Sequence, residues 1–175
     1  MFEEYLTDAN YFAVKASEMK VENEKKRYYR VSVFCVMGSV EAFINYFGDT
    51  LEISKILTSH EIAFLMDKKF DIAGGTFQVL NQKEYHKIED KLRFLLHRFV
   101  PKFDFNRNPS WSNFVEFKRF RDKIIHPHQE EDDIAIAEYK KKISNGLSAA
   151  IEIMNHLCKG IFKRSLRKKI LDLTL

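Results

Sequence analysis

Glycine, proline and cysteine are scarce in this chain. Six glycines and three prolines among 175 residues leave few places for turns, which excludes a loop-rich or disordered polypeptide and argues for long regular elements. Cys35 and Cys158 are the only cysteines, too few for a disulfide framework and without metal-ligand spacing. Both lie in apolar helical stretches and read as reduced core thiols of a cytoplasmic protein. The start, Met1-Phe-Glu-Glu, is acidic and polar, so no signal peptide is expected. No apolar run is expected to span a bilayer, so no membrane role is expected either. Gly74-Gly75-Thr76 lacks the lysine of a phosphate loop, and no Ser/His/Asp triad or Cys/His nucleophile can be assembled.

What is present is ordinary in bulk and uneven in detail. Apolar content of 45% and charged content of 31% suit a soluble globular chain, and the length suits one domain, residues 1–175, with a real core. The net charge of +4 is too mild to mark a nucleic-acid binder. The charge is clustered, however: Lys118 to Lys123 and Lys163 to Lys169 are basic, and Glu130 to Asp133 is acidic.

Apolar residues recur at helical steps nearly throughout. Leu6, Ala9, Ala16 and Met19 mark a first helix. Val33, Met37, Val40, Ile44, Phe47 and Leu51 mark a central one over about residues 27 to 53, roughly 40 Å long. "TSHEIAFLMDKKF" reads as a shorter helix with Ser59 as its cap, followed by a Gly74-Gly75 turn. A further helical stretch carries Tyr85, Ile88, Leu92 and Phe99. Ser110 is a cap for a helix that runs to about Ile125, where Pro127 stops it. The last helix is expected from near Asp133 through Ile161. The expected fold is therefore all-α, an antiparallel bundle of about five to six helices. His60, His86, His97 and His156 fall in separate helical segments without ligand spacing, so no metal is expected.

One position breaks the pattern. On a helical wheel of residues 111 to 125, Trp111, Phe114, Val115, Phe117, Phe120, Ile124 and Ile125 fill a wide arc, and Arg121 lies near its middle. A guanidinium keeps its proton, and burying it unpaired costs several kcal/mol, so Arg121 needs an acidic partner or a wet groove that admits an anion. His126 follows at the helix end, directly before a proline. An imidazole moves protons near neutral pH, and an arginine beside it holds a phosphate and stabilises charge developing there. Together they are the least equipment for cleaving an RNA backbone without a metal, because the ribose 2′-hydroxyl supplies the nucleophile.

The stretch "RDKIIHP" resembles the Arg-x4-6-His motif of the HEPN superfamily, in which a polar residue, here Asp122, often follows the arginine. "GSVEAFINYF", Gly38 to Phe47, is similar to an early HEPN helix. The resemblance implies an all-α bundle that dimerises and a metal-independent RNA endonuclease with no cofactor, with the motifs of two protomers facing one another. It implies a toxin or phage-defence effector, with an antitoxin or a nucleotidyltransferase as partner. By resemblance Arg121 binds the scissile phosphate, His126 serves as acid/base or phosphate contact, and Asp122 orients one of them. Lys123 and His128 are supporting RNA contacts. Glu41 and Asn45 lie one turn apart on α-helical spacing, and Glu41 is expected as the resting counter-charge of Arg121. Two plainer readings stand beside these. Arg121 can close the bundle as a buried ion pair, and His126 can cap a helix end. The rival function is a non-catalytic HEPN-like dimeric interaction or nucleotide-binding module.

Overall fold

The computed structural model describes residues 1–126 and 134–175. Its elements in order are α1 (Phe2–Glu18), α2 (Glu22–Ser54), α3 (Ser59–Leu65), β1 (Lys68–Ala73), β2 (Thr76–Lys83), α4 (Ile88–Phe99), α5 (Pro109–Ile125), α6 (Ile136–Phe162) and α7 (Lys168–Leu171). The fold is thus mainly helical, as the periodicity predicts, but the described residues form seven helices rather than the expected five to six, and they include an antiparallel β-hairpin between α3 and α4.

α2 is the axis of the bundle. Its 33 residues span about 50 Å at the helical rise, and its stripe Val33, Val36, Val40, Phe43, Ile44, Phe47 and Leu51 is buried. α1 lies along it through Leu6, Ala9, Ala13 and Ala16, small enough to bring the helices close. The Ser32 hydroxyl donates to the Ala9 carbonyl at 2.7 Å and so spends its polarity inside the contact. Contrary to expectation, α2 is long and apolar enough to cross a membrane by length and composition; 56% of its apolar window is buried within the protein.

α5 and α6 close the other side. Asn108 caps α5, accepting from the Ser110 and Trp111 backbone N–H groups, with Pro109 in the first turn. Ser110, expected as the cap, lies inside the helix. Phe117 of α5 packs over Gly146 of α6, where a β-carbon would stand 2.2 Å from the ring. Tyr139 of α6 stacks on Tyr29 of α2 at 5.9 Å and meets Phe120 edge-on at 5.3 Å. Thr58, not Ser59, caps α3 through a capping box with Glu61.

The hairpin corrects the reading of residues 66 to 87. Gly74 and Gly75 have φ of 60° and 78°, the pair of positive angles that a tight hairpin turn requires. Phe70 faces Val79 and Ile72 faces Phe77 across the strands. The edge of His60 rests on Phe77 at 4.5 Å. α4 therefore begins at Ile88, and Tyr85 and His86, expected inside a helix, lie in the link before it. α6 begins at Ile136, and the Glu130–Asp133 stretch expected to start it lies outside the described residues. The basic segment after α6 is tied back to α1. Arg167 and Lys169 reach back to Glu3 of α1 at 3.4 and 3.6 Å, and Leu166 and Ile170 are buried.

Candidate functional site

Arg121 lines a cavity of about 360 Å³ between α2, α5 and the link that leads into α4. α2 contributes Glu41, Ile44 and Asn45 to its wall, and α5 contributes Lys118, Arg121 and Asp122. The remaining wall comes from Asp67, from Tyr85 to Ile88, and from Lys91 of α4. The arginine side chain is 22% exposed. The apolar arc of α5 thus opens here onto a polar recess, which answers the steric and electrostatic problem that the sequence poses.

The charges in this recess nearly balance. Lys87, Lys91, Lys118 and Arg121 stand against Glu41, Asp67 and Asp122. Asp122 takes two of the cations: Lys118 Nζ donates to its Oδ2 at 2.7 Å, and Arg121 Nη1 lies 3.3 Å from its Oδ1. The expectation for Glu41 is corrected accordingly. It lines the cavity, but the carboxylate within ion-pair distance of Arg121 is Asp122, its neighbour in sequence. Glu41 and Asn45 are both exposed and share the cavity wall, as their one-turn spacing requires.

Arg121 Nε is buried without a hydrogen-bond partner, and so is Nε2 of His86, which lines the same cavity. Each such unsatisfied group costs about 1–3 kcal/mol. Among the described residues the only other buried side-chain atom of this kind is Asn10 Oδ1, on α1.

His86 is held from two sides. Its backbone N–H donates to Asp67 Oδ1 at 2.8 Å, and its ring meets Phe64 at 4.7 Å. Asp67 in turn has a left-handed φ of 54° and accepts from Lys91 Nζ at 2.6 Å. Its backbone carbonyl accepts from the Glu84 N–H at 2.9 Å, closing the base of the hairpin. Sequence reasoning missed His86 because its place depends on the hairpin. The signal was there in the alternation of Phe70, Ile72, Phe77 and Val79 about two glycines.

His126 stands apart from this cavity. It ends α5 with its backbone N–H on the Asp122 carbonyl at 2.9 Å, and its side chain is exposed. Five residues of α-helix rotate a side chain by about 500°, so His126 projects about 140° around the axis from Arg121. Lys123 is half-buried on α5 and does not line the cavity. His128 lies outside the described residues. Among the described residues no three His, Cys, Asp or Glu side chains gather as a metal site.

No protein-family model, curated protein or solved structure matches this chain.

Proposed function

We propose that this chain is a HEPN-like, metal-independent RNA endonuclease that works as a cytoplasmic homodimer, in the manner of a toxin or phage-defence effector. The observation that carries this reading is Arg121: a guanidinium in the apolar arc of α5, partly open to a polar cavity, with a buried Nε that lacks an acceptor. A phosphodiester, with its two non-bridging oxygens, is the partner such a group takes in bidentate fashion. His126, exposed five residues on, is the proton-transfer group.

In this reaction the ribose 2′-oxygen gives its proton to an imidazole and bonds phosphorus. The bond from phosphorus to the 5′-oxygen breaks, and that oxygen takes up a proton. The products are a 2′,3′-cyclic phosphate and a 5′-hydroxyl end. Because His126 projects away from Arg121 within one protomer, the arginine of one chain and the histidine of the other meet across the dimer in this scheme.

A second reading has its own support. The cavity includes Arg121 but not His126, which favours a non-catalytic nucleotide-binding module. Incubating the purified chain with RNA and a chelator separates the two. The enzyme reading expects cleavage by the wild type and a loss of about 10²–10⁴-fold in His126→Ala. Inactivity of the wild type on a broad set of RNAs, together with saturable nucleotide binding, selects the second reading.

A further inference from the structure

The Arg121 cavity holds an imidazole that the helix-end motif does not include. We propose that this cavity is a nucleotide subsite, in which His86 and Arg121 bind the phosphate and Tyr85 carries the base. The proposal rests on the reading of Arg121 as a phosphate-holding residue.

Three observations carry it. First, the two side-chain nitrogen atoms among the described residues that are buried without a partner, Arg121 Nε and His86 Nε2, belong to residues that line one cavity. An oxyanion seated in that cavity gives both side chains a partner once they turn toward it.

Second, the site already holds an anion of similar geometry. Lys118 and Arg121 converge on the two oxygens of Asp122 at 2.7 and 3.3 Å, an arrangement that a phosphate takes over by displacing that carboxylate. His86 is held in place by Asp67, which bonds its backbone N–H, and by Phe64, which meets its ring.

Third, an aromatic ring stands at the rim. Tyr85 is 80% exposed, so its ring is free to meet a ligand, and it lines the same cavity as the residue that follows it. A base stacks on such a ring whatever its identity. At about 360 Å³ the cavity falls within the range of small-ligand sites, about 300–1,000 Å³. A phosphate at the floor and a base at the rim make the occupant a nucleoside phosphate, either free or as one unit of an RNA strand.

The test uses the full chain with isotope-labelled histidines. The His86 imidazole signals are identified by their loss in His86→Gln. Wild type is then titrated with adenosine 5′-monophosphate, inorganic phosphate, adenosine and a short oligoadenylate, and affinities are measured by calorimetry in parallel. The expected result is a saturable shift of the His86 signals by the monophosphate, a weaker one by inorganic phosphate and little by adenosine. The dissociation constant for the monophosphate should rise about tenfold or more in His86→Gln. It should rise about tenfold in Tyr85→Ala, which leaves inorganic phosphate binding unchanged. Tighter binding of the oligoadenylate than of the monophosphate assigns the subsite to a strand, and equal binding assigns it to a free nucleotide.

The wild-type titration stands even where a variant fails to fold. A silent His86 in the presence of saturating monophosphate overturns the proposal, as does an affinity indifferent to both His86→Gln and Tyr85→Ala. Cleavage of RNA that depends on Arg121 and His126, with His86 silent, keeps the enzyme reading and removes this one. A responding His86 without any cleavage does the reverse.

Discussion

Lys91 Nζ lies 2.6 Å from Asp67 Oδ2, and this ion pair ties the start of the hairpin to α4. Lys91 is only 5% exposed, so its charge is nearly withdrawn from water. Asp67 uses its other oxygen on the His86 backbone N–H, so one carboxylate fixes both a helix and the histidine of the cavity. The positive φ of Asp67 adds local strain that these bonds must outweigh.

Lys91→Ala therefore costs more than a surface pair does. Breaking a buried pair typically costs about 3–5 kcal/mol, and the partial exposure of Asp67 reduces that to about 2–3 kcal/mol here. Urea unfolding checks the value. Amide exchange should also quicken over residues 67 to 88 in the variant, because the hairpin loses its attachment.

Asp122→Asn tests whether the carboxylate competes with an external anion. The substitution keeps the size of the side chain and removes the negative charge that engages Lys118 and Arg121. Phosphate binding measured by calorimetry should tighten about five- to tenfold, with a steeper dependence on salt. An unchanged or weaker affinity contradicts the view that Asp122 occupies the anion position.

Gly146→Ala reverses the usual sign for a helix. Alanine is the better helix former by about 1 kcal/mol. At Gly146, however, the new methyl would lie 2.2 Å from a Phe117 ring atom, and Phe117 is itself buried. Overpacking costs about 1–3 kcal/mol, so the variant should melt several degrees below the wild type in a calorimetric scan.

Cys158 reports on the core by its ionisation. Burial pushes its thiol up to about 11 from an ordinary 9.0. The native state disfavours the thiolate, so this group's contribution to stability is full below about pH 9 and is lost as pH rises toward about 11. Iodoacetamide at pH 8 should leave Cys158 unlabelled in the folded protein and label it rapidly in denaturant, as mass spectrometry of the digested chain reads directly.

The helices were legible because their cause is local. The apolar stripe of α2, the stop at the end of α5 and the Gly74-Gly75 turn follow from spacing and backbone preference alone. The position of Arg121 was equally visible, since a charge in an apolar arc must open onto something polar. The hairpin was harder to see: its strands are short, and the helical pattern of α3 runs up against it. The composition of the cavity could be read only in part: Glu41, Asn45 and Asp122 were expected beside Arg121 and line its cavity, whereas the rest of the wall was not foreseen. Asp67, Tyr85, His86 and Lys91 share a cavity with Arg121 only because the hairpin folds back and α4 starts three residues later than Tyr85. Likewise, the choice of Asp122 over Glu41 as counter-charge is a matter of side-chain reach, which spacing does not specify.

The central claim is that Arg121 grips a scissile RNA phosphate. The most direct measurement is the appearance of 2′,3′-cyclic phosphate ends when the wild type and Arg121→Ala are incubated with RNA in chelator. The account predicts cyclic ends from the wild type and a rate about 10²–10³-fold lower in the variant, with the variant still folded by circular dichroism. Cyclic ends released equally fast by both proteins, or by neither, would contradict it.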